Sequence, residues 1–272
     1  MRLLCSCFAA RWWCCGCLLA LLLLLGPLAG SAQAPPPGTD YYAVLKPHNL
    51  SYLWHADRLA FYASKQLISF PEPLGFIGPN YQRFYLHYTS VRPDAANPYV
   101  YRVSGKTRVK NNIRAFAGTI TVVRARLYKA PSAEYPPLRE GEITCRVELA
   151  EDRRQPGSGT IRGTLTTYFY LDNLDKQEKP RYNTLSAQAD SWANNQCVAT
   201  WTSYATGQRK ACHWGDFRIP QAGPLDIGVG EFSVSDKYLR NGWQTYMAAL
   251  DGQPTAPKNR QSRTEEKRPW WQ

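Results

Sequence analysis

Between Tyr81 and about Val234 the chain alternates with a period of two, and this constrains its fold more than any other feature. In Ile161 to Leu171 the odd positions Ile161, Gly163, Leu165, Thr167, Phe169 and Leu171 oppose Arg162, Thr164, Thr166, Tyr168 and Tyr170. Successive side chains of an extended backbone point to opposite faces, so this is a half-buried strand. Glu142 to Leu149 alternates in the same way, placing Ile143, Cys145, Val147 and Leu149 on the core face. Similar runs occupy 83–91, 98–104, 107–117, 119–128, 182–189, 196–204 and 210–219, separated by turn signals such as Arg92-Pro93-Asp94 and Pro156-Gly157-Ser158-Gly159. Eight to ten strands with short connections and no intervening helices imply antiparallel pairing. The expected fold is therefore mainly β, an antiparallel β-barrel or β-sandwich with one N-terminal and one C-terminal helix.

The helices are read from three- and four-residue spacings. Tyr52, Ala56, Leu59, Ala60, Ala63 and Leu67 predict a helix over 49–67, and Leu239, Trp243, Tyr246, Met247 and Leu250 predict another over 236–250. Residues 1–34 carry Arg2 and Arg11, the apolar run Cys17 to Leu25, then Gly26-Pro27 and Ser31-Ala32-Gln33-Ala34. That is the pattern of a signal peptide cleaved before Pro35, which predicts export to a secreted, periplasmic or envelope-associated location. The alternative is an uncleaved N-terminal membrane anchor. Residues 35–39 then form a Pro-rich spacer, 40–250 a single β-rich domain, and 251–272 a disordered basic tail without hydrophobic period. Five of the eight cysteines fall in the signal, leaving Cys145, Cys197 and Cys212. Cys197 and Cys212 flank one hairpin and are the pair expected to be bridged in an oxidising compartment.

Two constellations carry candidate chemistry. His213, Asp216, Asp226 and Glu231 lie in the densest polar cluster and would supply the acid and base groups of a hydrolase. Alternation separates His213 from Asp216, so the competing reading pairs Asp216 with Arg218 and gives His213 a backbone partner. Tyr85, Tyr99, Tyr101, Tyr168 and Tyr170 stand on the polar faces of strands among arginines, where rings and guanidinium groups can line a ligand-binding face. The bland reading is cross-strand pairing that stabilises the sheet. The histidines are scattered and there is neither a C-x-x-C nor an H-x-x-x-H spacing, so no metal is expected. No glycine-rich loop joins a strand to a helix, and no cofactor or nucleic acid is expected.

A strand-rich domain with a helix on each side resembles the lipocalin-like and avidin-like barrels in layout. No family residues carry over, because the Gly-x-Trp of a lipocalin first strand is missing. The formal charge of +12 falls to +10 on loss of Arg2 and Arg11, which suits an anionic partner or envelope surface. The sequence thus implies an exported binding module for an apolar, aromatic or glycan ligand, anionic ligands and lipids included, rather than an enzyme. A hydrolase built on 213–231 and an envelope structural protein without a small ligand are the alternatives.

Overall fold

The computed structural model describes residues 36–251 and 256–272. The segment expected to be a signal peptide, with its expected cleavage before Pro35, lies outside the described residues. The strands are β1 (Gly38–Asp40), β2 (Arg58–Ala60), β3 (Leu67–Ser69), β4 (Leu74–Ile77), β5 (Gln82–Pro93), β6 (Val100–Val109), β7 (Asn112–Pro131), β8 (Leu138–Glu151), β9 (Gly159–Asp172), β10 (Arg181–Tyr182), β11 (Asn194–Ser203) and β12 (Arg209–Asp216). Two α-helices follow, α1 (Gln244–Leu250) and α2 (Pro257–Glu266). Every pairing is antiparallel, and β4, β5, β6, β7, β8, β9, β11 and β12 join in that order. The last of them pairs back to the first, with Trp214 opposite Gly75. The ring is closed, so the fold is the barrel of the two expected architectures and leaves no long edge unpaired.

The aliphatic faces read from the sequence fill the interior. Ile143, Cys145, Val147 and Leu149 of β8 and Ile161, Leu165 and Phe169 of β9 are all buried, and so are Phe84 and Leu86 of β5. Each contributes on the order of 1.5–3 kcal/mol by leaving water. Glycine lets the larger rings in: a Cβ on Gly141 would meet the Phe169 ring at 2.6 Å. The outer wall is charged, with Arg146 and Arg162 both paired to Glu148. No helix among the described residues is long and apolar enough to cross a membrane.

One end of the barrel is stoppered by the segment that precedes β2. Leu45, Leu50, Leu53 and Trp54 are buried in the same core. The Leu50 amide donates to Tyr101 Oη at 3.0 Å, Asn195 Nδ2 donates to the Leu53 carbonyl at 2.8 Å, and Trp54 Nε1 donates to Thr167 Oγ1 at 2.8 Å. The helix expected over 49–67 is thereby corrected. Only a 3-10 turn forms at Ser51–Leu53, and the β2–β3 hairpin follows. Leu67, which a helical stripe would have buried, is 59% exposed. Docking into the barrel end outweighed local periodicity. The spacer is corrected too, because Gly38–Asp40 pairs with β7 and the Pro36 carbonyl accepts from Arg126 Nη2 at 2.7 Å.

The C-terminal part packs outside the barrel. A 3-10 helix at Asp236–Asn241 ends at Gly242, whose φ of 93° only glycine adopts readily, so the expected single helix over 236–250 is broken there before α1 begins. Trp243 and Phe232 build a second core with Phe76 of β4. The tail expected to be disordered instead forms α2. Glu266 accepts both guanidinium nitrogens of Arg83 at 2.8 and 2.5 Å, and Thr245 Oγ1 donates to the same carboxylate. Beyond α2, Trp271 stacks on His87 with centroids 3.8 Å apart.

Cys145, Cys197 and Cys212 are free and buried, which corrects the expected bridge. In the observed register Cys197 faces Trp214 while Cys212 faces Ala199. Diagonal neighbours on a ladder stand about 7–8 Å apart, beyond the reach of a disulfide. Burial pushes all three thiols upward in pKa. Thiol-specific alkylation of the native protein, read by peptide mass, should therefore leave these three unmodified, and denaturant should expose all of them. Rapid native labelling of any one would contradict this packing.

Candidate binding site in the barrel mouth

The end opposite the stopper is open. It is bounded by the loops at 78–81 and 152–158 and by the β6–β7 and β11–β12 turns, which enclose a cavity of about 710 Å³. Phe84, Ile77, Val109 and Trp201 supply its apolar wall, and Lys110, Arg114 and Lys210 its charged rim. The β6–β7 connection is only two residues long, and Lys110 in it holds a φ of 55°. That backbone is uncommon for lysine, and strain of this kind clusters at functional sites.

Glu151 lies at the base of the mouth. It continues the inward phase of Ile143, Cys145, Val147 and Leu149, so strand alternation carries a carboxylate into the barrel. Its oxygens accept from Thr107 Oγ1 at 2.6 Å, the Gly159 amide at 2.8 Å and Trp201 Nε1 at 3.0 Å. Three donors satisfy the buried charge, and the third fixes the indole against the cavity. The Lys210 ammonium stands 5.5 Å from the Trp201 ring centroid. The arrangement offers a flat aromatic wall, a cationic rim and a carboxylate already engaged by the protein. It suits binding better than proton transfer, since among the described residues no second acid lines the mouth to pair with Glu151.

The hydrolase candidates are not brought together. Asp216 faces the barrel interior near the stopper, 1% exposed, where it accepts from Tyr182 Oη at 2.9 Å and Asn195 Nδ2 at 2.7 Å. Burial raises its pKa to about 7. His213 points the other way, packed on Phe76 with its Nδ1 3.2 Å from the Pro220 carbonyl, and burial lowers its pKa. Asp226 accepts from Arg218 at 2.6 Å and from the amides of Gly228 and Ser233. Glu231 is exposed. Arg218 thus pairs with Asp226, not with Asp216 as the competing reading held, while His213 does have its backbone partner. Among the described residues, no three His, Cys, Asp or Glu side chains converge as metal ligands.

The five tyrosines do not form one surface. Tyr101 is fully buried and engaged with the stopper. Tyr99 stacks on Tyr42 at 4.1 Å. Tyr170 is 7% exposed beneath Tyr62, and Tyr168 stands opposite Glu142 on the outer wall. Tyr85 packs between Arg83 and Arg108, also outside. None of them lines the mouth. Of the residues that do, sequence reading singles out Pro156 and Gly157 as part of a turn, and none of the side chains that give the mouth its chemistry. The signal it passed over was Glu151, an acid falling on the apolar phase of a strand. Comparison with protein families, with curated proteins and with solved structures gives no match.

Proposed function

We propose that the protein is an exported binding module that holds a small amphipathic molecule in the barrel mouth, its apolar or aromatic body against Trp201 and Phe84 and its anionic group at Lys110, Arg114 and Lys210. The observation that carries this reading is the asymmetry of the barrel. One end is filled by the stopper, while the other keeps a cavity of about 710 Å³ whose size falls in the range of small-molecule sites. Its rim is cationic and Glu151, the acid that lines it, is already engaged, so an anionic group is favoured over a cationic one. Dispersal of His213, Asp216, Asp226 and Glu231 counts against the hydrolase reading.

The test is titration with 11-(dansylamino)undecanoic acid, whose emission rises in an apolar site. Wild-type protein should bind it saturably. Trp201→Ala should weaken binding at least tenfold, as expected for a central aromatic anchor, with Lys210→Ala acting in the same direction. Absence of saturable binding to the wild type, or unchanged affinity in a folded Trp201→Ala variant, would overturn the proposal.

A further inference from the structure

A second cavity, of about 880 Å³, runs along the outside of the barrel between β5 and β6, the β2–β3 hairpin with the segment after it, and the C-terminal helices. It is separate from the mouth in lining and in chemistry. Five aromatic side chains line it, Tyr85, Trp270 and Trp271 among them, with the carboxylates of Asp57, Glu72, Glu265 and Glu266, of which Glu265 is paired to Arg268 and Glu266 to Arg83. Arg108 stands among them with its guanidinium carbon 3.8 Å from the Tyr85 centroid and 5.2 Å from that of Trp270. Its Nε is buried without a hydrogen-bond partner among the described residues.

The buried guanidinium of the same wall, Arg83, has both terminal nitrogens engaged by Glu266. A guanidinium packed on rings donates only from its edge, and that edge matches the two oxygens of a carboxylate. Nε itself is shielded, but Arg108 as a whole is only half-buried, so the edge bearing its terminal nitrogens can be reached by a ligand. Aromatic rings beside carboxylates also suit a saccharide, whose C–H faces pack on indole and whose hydroxyls donate to acids. Glu72 is held at 2.9 Å from His87 Nδ1, and His87 carries the Trp271 ring, so acid and indole are fixed relative to one another.

We propose that this groove is a binding site for a carboxylate-bearing saccharide of the uronic acid type, the carboxylate received by Arg108 and the sugar rings by Trp270 and Trp271. Nothing in this inference depends on the mouth.

The test is calorimetric titration of the full chain with tri-galacturonate and, in parallel, with its fully methyl-esterified counterpart, which keeps the rings and removes the charge. Tri-galacturonate should bind, and the ester should bind at least tenfold more weakly. Arg108→Lys keeps the cation but loses the planar fork, and should reproduce that loss for the acid while leaving the melting temperature within a few degrees. Trp271→Ala should weaken both saccharides, and Trp201→Ala should change neither. The site is overturned if the wild type binds neither saccharide, if acid and ester bind alike, if Arg108→Lys binds the acid as the wild type does, or if Trp201→Ala abolishes binding.

Discussion

Deleting the chain from residue 252 onward is expected to lower the melting temperature by roughly 10 °C or more. The Arg83 side chain is 6% exposed, and its carboxylate partner among the described residues is Glu266 on α2. Removing one member of a buried ion pair costs about 3–5 kcal/mol, because the remaining charge is stranded away from water. In a domain of this size each kcal/mol corresponds to roughly 2–4 °C. The same deletion strips the Trp270 and Trp271 rings from Tyr85 and His87. Glu266→Gln isolates the electrostatic part and should produce most of the loss by urea titration. Arg83→Leu combined with Glu266→Leu should recover a good fraction, since an apolar replacement of both partners leaves no stranded charge. A truncated protein that melts with the wild type would show that the tail adds nothing to the folded state.

The second large effect concerns Asp216. Its folded pKa of about 7 lies above the ordinary carboxylate value of about 3.9 because burial penalises the charged form. The folded chain therefore keeps a proton that the unfolded chain has lost between about pH 4 and pH 7. The associated stability is fully present below the unfolded pKa and disappears as pH rises through the folded one, a loss of up to about 4 kcal/mol. Asp216→Asn removes the titration while its amide oxygen still accepts from Tyr182 or Asn195. The variant should gain on the wild type progressively from pH 4 to pH 7 and keep a constant advantage above that. Urea unfolding at pH 5 and pH 8 measures this directly, and an equal difference at the two values would contradict the assignment.

Strand alternation made the barrel legible because each strand buries one face and exposes the other. Ile143 to Leu149 and Ile161 to Leu171 fall on the inward side as read. The N-terminal segment misled for a physical reason. Tyr52, Ala56, Leu59 and Leu67 repeat at helical spacing, but the side chains that mattered were Leu50, Leu53 and Trp54, which span a single turn and are buried by docking into the barrel end. The tail was illegible for a related reason. Glu266 is held by Arg83 from 183 residues away, and the buried residues of α2 are Asn259 and Ser262, so no apolar stripe announces the helix. For the mouth, the sequence carried its marker in Glu151, yet the donors that explain it arrive from β6, β9 and β11. The tyrosines were the more conspicuous signal and the less informative one. Their rings chiefly stabilise the outer wall and the stopper.

The seam between β4 and β12 governs when this molecule can come into being. Six strands stand between those two in the ring, and the pairing of Gly75 with Trp214 waits until all of them have been made. A nascent chain interrupted anywhere before residue 216 is an open, curling sheet with two bare edges, and contacts of such long sequence separation form slowly. Both edges are templates for association with other chains while they wait. Only after β12 do the Trp243 core and the Glu266 clamp follow, and the clamp fastens on β5, the neighbour of β4. Residues made after the barrel strands thus lock its first part, so the barrel is sealed only once α2 has emerged.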